Sequence, residues 1–235
     1  MIVIADNMNT RNKAYTDALR KRDKKAVSAL AGQLRRAGAD LINIQCSTDG
    51  SGDEDSLPFV LDAISSEAEA GICLDSRNIK ALKKSIKLLK KPPLINFISQ
   101  NEPDDCDALL SLVAESGASL VLRASKAITP SSLEAKLQIA EDLLEMANAA
   151  DIPNDRLFAD PSVVHIGKGV DQKHLLNSCE FIKALKEMVD PPINTIAWIS
   201  NVSTGLPAQL KGVVESSFLS YLSGAGLDAA MVNVL

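Results

Sequence analysis

Asp160 closes the apolar run Leu157-Phe158-Ala159 and is followed at once by Pro161 and Ser162. Proline has no backbone N–H and biases the residue before it to extended geometry, so the pattern predicts a strand with a carboxylate at its tip. A carboxylate there must find hydrogen-bond donors, because burying an unpartnered charge is costly. One such aspartate can equally be a helix cap or a loop pin. The pattern repeats, however, in Gly71-Ile72-Cys73-Leu74-Asp75, in Leu94-Ile95-Asn96 and in Ala197-Trp198-Ile199-Ser200-Asn201. Four apolar strands that each end in a carboxylate or carboxamide point to one polar site at one end of a sheet.

Those tips need a scaffold, and the rest of the chain supplies one. Ile2-Val3-Ile4-Ala5 opens as a strand. Helices are expected over Asn12 to Arg20, from an Asp23 cap to a Gly38 stop, and from Ser56 and Pro58 onward. Leu41-Ile42-Asn43-Ile44-Gln45 reads as strand two. Strand three ends at Asp75, and its helix is expected to bury Ile79, Leu82, Ile86 and Leu89 beneath a solvated lysine stripe. Further strands end at Asn96 and Asp160 and cover Leu120-Val121-Leu122-Arg123, Thr195 to Ile199 and Leu227 to Val232. The helices between them are expected from about Asp104 to Ser116, Ser131 to Ala149, Lys173 to Val189 and Pro207 to Ser223. On the helix before Asp160, Leu133, Leu137, Ala140 and Leu144 are expected to face the core. This alternation of strand and helix predicts an α/β fold, a (β/α)8 TIM barrel with its last helix missing or truncated, in a single domain over residues 1–235.

Composition agrees with that class. The chain is 46% hydrophobic but only 3% aromatic, which suits helices packed on a parallel sheet. A formal charge of −5 gives no electrostatic case for nucleic acid or an anionic membrane. Cys46, Cys73, Cys106 and Cys179 are scattered without metal spacing, so no metal is expected and the thiols read as reduced. No run is long enough to cross a bilayer and no leader precedes the first strand, which predicts a soluble, cytoplasmic protein. Gly167-Lys168-Gly169 lacks the spacing of a phosphate loop and reads as a turn.

In order and at compatible spacing, Met1-Ile2-Val3-Ile4-Ala5-Asp6-Asn7-Met8-Asn9, Cys73-Leu74-Asp75-Ser76, Ile95-Asn96, Asp160-Pro161 and Ser200-Asn201-Val202-Ser203 resemble the pterin-binding barrels. The resemblance is strongest to methyltetrahydrofolate:corrinoid/iron-sulfur protein methyltransferases. It is more distant to the methyltetrahydrofolate domain of cobalamin-dependent methionine synthase and to dihydropteroate synthase. It implies that Asp75, Asn96 and Asp160 hold the aminopyrimidine edge of a pterin, with Asn9, Asn43 and Lys211 also in the substrate site and Asn201 beside N5 as the catalytic residue. It further implies methyltetrahydrofolate as substrate, a corrinoid (cobalamin) carried by a partner protein, possible iron–sulfur cargo on that partner, and a homodimer. The implied reaction is methyl transfer between N5 of methyltetrahydrofolate and the corrinoid cobalt.

The chain departs from the pattern it resembles. Asn43-Ile44-Gln45 stands where Asp-x-Asn is usual, which removes a carboxylate expected to help organise protonation at N5. Asp6 replaces a longer Glu, and Lys211 replaces an Arg that would offer a bidentate fork. Two alternatives follow: a dihydropteroate synthase-like enzyme, for which the last strand lacks the Arg-x-His pattern the resemblance would require, and a non-catalytic pterin-binding barrel.

Overall fold

The computed structural model describes residues 1–65, 70–100, 103–126, 128–168 and 173–235. Its strands are β1 (Ile2–Met8), β2 (Leu41–Gln45), β3 (Gly71–Asp75), β4 (Leu94–Ile98), β5 (Ser119–Arg123), β6 (Leu157–Asp160), β7 (Asn194–Trp198) and β8 (Ala229–Val232). They follow one another in sheet order and close as a parallel barrel. The helices are α1 (Lys13–Arg20), α2 (Lys24–Arg36), α3 (Asp53–Ala63), α4 (Ile79–Ile86), α5 (Pro103–Ser116), α6 (Leu133–Ala149), α7 (Lys173–Met188), α8 (Ile199–Val202) and α9 (Ala208–Gly224). This is the (β/α)8 architecture that the alternation predicts. Among the described residues no helix follows β8.

The chain divides into two compact units. One comprises Ile2–Asn96, Ser111–Ser119 and Val232–Leu235. Its helices start where side chains replace missing backbone partners. Asn12, Asp23 and Asn78 each accept from an amide of the first turn of α1, α2 and α4. Gly38, at φ +96°, ends α2 in a conformation that a side chain would strain. The register sets Gln45 beside Asp75 and Asp75 beside Asn96. One layer deeper, on the same side of the sheet, Asn43 lies beside Cys73 and Cys73 beside Leu94. A register irregularity in β1 between Ala5 and Met8 lets Asp6 and Asn7 sit out of a regular ladder.

The other unit comprises Met1, Phe97–Leu110 and Leu120–Met231. Here β5 and β6 align Arg123 with Asp160. At the opposite end of its strands, Thr195 donates through its amide and hydroxyl to Asp228, which also pairs with Lys186.

Several boundaries differ from expectation for physical reasons. β4 does not end at Asn96 but runs on through Phe97 and Ile98, which continue the apolar run, so Asn96 lies in mid-strand. α3 begins at Asp53, ahead of the expected Ser56, because the Gly50-Ser51-Gly52 turn feeds three acidic residues into its first turn; Pro58 therefore lies inside the helix. α4 stops at Ile86, and its buried positions are Ala81, Leu82 and Ser85, leaving Leu89 beyond it. β7 stops at Trp198, and Ile199–Val202 turn into α8, so Asn201 is on a helical turn and not at a strand tip. β8 starts at Ala229 because Asp228 is engaged as the acceptor for Thr195. The buried face of α6 is Lys136, Ile139, Ala140, Leu143 and Ala147, one position away from the stripe read from its leucines. Gly169, the end of the Gly167-Lys168-Gly169 turn, lies outside the described residues; Ile166–Lys168 form a 3-10 turn.

Candidate functional site

In the unit containing β1 to β3, the C-terminal halves of the strands carry a layered polar cluster. Asn96 is 2% exposed, yet neither the nitrogen nor the oxygen of its amide has a hydrogen-bond partner among the described residues. Buried polar atoms are rarely left so, and this amide keeps both a donor and an acceptor available. Beside it in register, Asp75 is oriented by Gln45, whose Nε2 donates to Asp75 Oδ2 at 2.9 Å. Gln45 is itself fixed through its Oε1, which accepts from the Thr10 hydroxyl at 3.0 Å.

Beneath this row, Asn43 is fully buried and its Nδ2 donates to Asp6 Oδ1 at 3.3 Å, while its Oδ1 has no partner. Asp6 also pairs with Arg11 at 3.1 Å. Asn9 is engaged in its own loop: it donates to the Asp6 carbonyl and accepts from the Arg11 amide at 2.9 Å. Cys46 borders the cluster against the Tyr15 hydroxyl, and burial pushes its thiol up to about 12, so it stays protonated and is no nucleophile at neutral pH.

In the other unit, Asp160 is 1% exposed. Its Oδ1 accepts from the Ser162 amide at 2.9 Å, and its Oδ2 has no hydrogen bond. Arg123 Nε stands 3.8 Å from that oxygen and 3.3 Å from Ser162 Oγ. The guanidinium lies over Phe97 at 4.6 Å and Trp198 at 5.8 Å, and these rings meet edge to face. Lys136, fully buried on α6, donates from Nζ to the Pro161 carbonyl at 2.6 Å. Burial raises the Asp160 carboxyl above its ordinary range, against the pull of Arg123, the Ser162 amide and Lys136. Asn201 is half-buried on α8. Lys211 is exposed in the first turn of α9 and makes no ion pair among the described residues.

Within its unit, then, the structure groups Asp75 with Asn96 and stacks Asn43 below them, with Asn9 engaged in a neighbouring loop. Asp160 and Asn201 belong to the other unit. Phe97, Arg123 and Lys136 escaped the sequence reading. Arg123 carried a signal, as the charged end of an apolar strand like that of Asp160. Lys136 carried one too, as a lone cation at helical spacing from core residues.

The sequence pattern that defines the family "Pterin binding enzyme" matches residues 7–233. The chain belongs to that family. Among its curated relatives, this pterin-binding enzyme is 25% identical to the methylcorrinoid:tetrahydrofolate methyltransferase of Eubacterium limosum, over 99% of this chain and 85% of the relative. It is 24% identical to the methionine synthase of Mycobacterium leprae, again over 99% of this chain but only 20% of the longer protein. Among solved structures it superposes on dihydropteroate synthase from Xanthomonas albilineans with a TM-score of 0.73 at 17% identity, covering 99% of this chain and 87% of that one. The synthase from Thermus thermophilus gives 0.70 at 16%, covering 99% and 89%. At these identities the structural likeness speaks for the barrel alone.

Proposed function

We propose that this pterin-binding enzyme transfers a methyl group between N5 of methyltetrahydrofolate and the cobalt of a corrinoid presented by another protein. The observation that carries the pterin part is Asn96: a fully desolvated amide, open at both ends, in register with an oriented carboxylate. The aminopyrimidine edge of a pterin offers N–H donors beside a ring nitrogen and a carbonyl, which is the complement of Asp75, Asn96 and Asp160. The relatives named above support the choice of methyl transfer over the condensation carried out by dihydropteroate synthases. So does the last strand with its flank, Ala229-Ala230-Met231-Val232 followed by Asn233, which lacks the basic pattern expected for that condensation.

In the chemistry the substrates supply, cobalt(I) takes the methyl carbon from protonated N5, and the C–N electron pair stays on nitrogen. The protein's residues position and polarise. Asp75, braced by Gln45, and Asp160, braced by the Ser162 amide, accept from the pterin edge. Asn96 donates and accepts. Asn201 is the residue assigned to N5, where its amide oxygen stabilises the positive charge that precedes methyl departure. Lys211 is exposed and able to meet a substrate carboxylate as a point charge.

The partner is a corrinoid protein, and iron–sulfur cargo would belong to that partner. A homodimer is part of the same proposal, supported by the exposed apolar side chains Leu176, Val213 and Tyr221 on α7 and α9, and sedimentation velocity tests it.

Asn201→Ala separates chemistry from binding. The expected result is a methyl-transfer rate lower by about a hundredfold, with methyltetrahydrofolate affinity changed only a few-fold. Equal loss in both would make Asn201 a binding residue only. A binding-only barrel is the second reading, favoured by Asn43 standing where a carboxylate would serve proton handling; it predicts tight pterin binding with no transfer to any corrinoid.

A further inference from the structure

The turn Asp160-Pro161-Ser162 is held more tightly than a ligand-binding strand tip requires. Ser162 sits at φ +56°, a left-handed conformation uncommon for a residue with a side chain, so the turn persists only because its surroundings enforce it. Three anchors converge there. The Ser162 amide binds Asp160 Oδ1 at 2.9 Å. Lys136 Nζ binds the Pro161 carbonyl at 2.6 Å from a fully buried position. Arg123 Nε reaches Ser162 Oγ at 3.3 Å, and that hydroxyl also meets Thr129 Oγ1 at 3.3 Å.

We propose that Arg123 and Lys136 are positioning residues that hold Asp160 as a carboxylate with Oδ2 kept open for an N–H donor of the ligand. A purely structural ion pair would close on its partner. Arg123 instead stands 3.8 Å from Oδ2 with no hydrogen bond to it, its nitrogen turned to Ser162. The faces of Phe97 and Trp198 restrain the guanidinium at that distance. The oxygen therefore feels the positive charge while its lone pairs remain available. Lys136 completes the arrangement from the helix side, donating to the Pro161 carbonyl and not to the carboxylate.

The charged groups acting on Asp160 among the described residues are these two cations, Arg123 from β5 and Lys136 from α6, and both favour the ionised form against burial. The identity of the ligand rests on the pterin reading. The state of Asp160 does not.

The test follows the Asp160 carboxyl directly, by carbon NMR of aspartate-labelled, ligand-free protein across pH 4 to 9, with Asp160→Asn to assign the signal. Arg123→Met and Lys136→Met should each move the Asp160 midpoint up by about one pH unit or more. Arg123→Lys should return it most of the way. Methyltetrahydrofolate affinity below the midpoints should fall about tenfold in Arg123→Met and recover as pH rises. A midpoint unchanged in Arg123→Met, the more exposed and more tolerant of the two sites, overturns the proposal, as does an affinity loss equal at every pH. If the midpoint moves as stated but no variant or wild type binds pterin at any pH, the proposal on Asp160 stands and the pterin reading falls.

Discussion

Lys136 shows at the scale of one residue what the site demands of the fold. Burial pushes its ammonium from the ordinary 10.5 down to about 8, although Asp160 pulls the other way. Between those values the unfolded chain holds more protons than the folded one, so folding stability rises with pH through that window and is lost as pH falls to about 8. The unfolding free energy of wild type relative to Lys136→Met should accordingly shift in favour of wild type by on the order of 3 kcal/mol between about pH 8 and pH 10.5. Denaturant titration of both proteins across that range checks it, and a flat difference would mean the lysine titrates normally.

Single residues were unevenly legible in the sequence. Asp75 and Asp160 announce themselves because each ends an apolar run, and Asn96 because it interrupts one that resumes at Phe97 and Ile98. Lys136 does not, because its apolar stem lets it sit in a core stripe among leucines and alanines, and on a helix so rich in both the stripe can be drawn one residue away. Asn9 matched a family pattern, yet here both ends of its amide pin the loop after β1.

At the scale of elements, β2 does more than its composition indicates. Gln45 looks in the sequence like a conservative loss of a shorter amide. In the structure it is a strut between Thr10 and Asp75, and its length is what lets one amide reach both. Gln45→Glu should therefore set a second carboxylate against Asp75, turn a donor into a repelling acceptor, and lower pterin affinity at neutral pH by about tenfold or more, with partial recovery as pH falls and one of the pair protonates. Calorimetric titration at pH 7.5 and pH 5.5 reads this, and an affinity indifferent to the substitution would deny Gln45 its role.

The turn from β7 into α8 was hidden for the opposite reason. Trp198 and Ile199 continue an apolar run without a break, and nothing local tells a buried strand from a buried helical turn. Helix starts were easier to read wherever a capping side chain marks them, as at Asp23, and harder at α3, where glycines and acidic residues share the work.

At the scale of the whole molecule, the barrel was readable because its evidence is spread along the chain: buried runs of similar length, amphipathic helices between them, and small turns returning each helix to the next strand. Function was less readable from the fold, since the same barrel carries dihydropteroate synthases. What narrows it is the polar set carried by the strands, together with similarity to a methylcorrinoid:tetrahydrofolate methyltransferase. Among the described residues no helix is long and apolar enough to cross a membrane.

The most direct test of the central claim is anaerobic mixing of the wild-type protein with methyltetrahydrofolate and free cob(I)alamin, followed by visible absorbance. Protein-dependent conversion of cob(I)alamin to methylcobalamin is the expected result, showing that Asn43 does not disable the reaction. Absence of conversion with free cobalamin and with every corrinoid protein offered, while methyltetrahydrofolate still binds tightly, would contradict it and leave a barrel that binds pterin without transferring its methyl group.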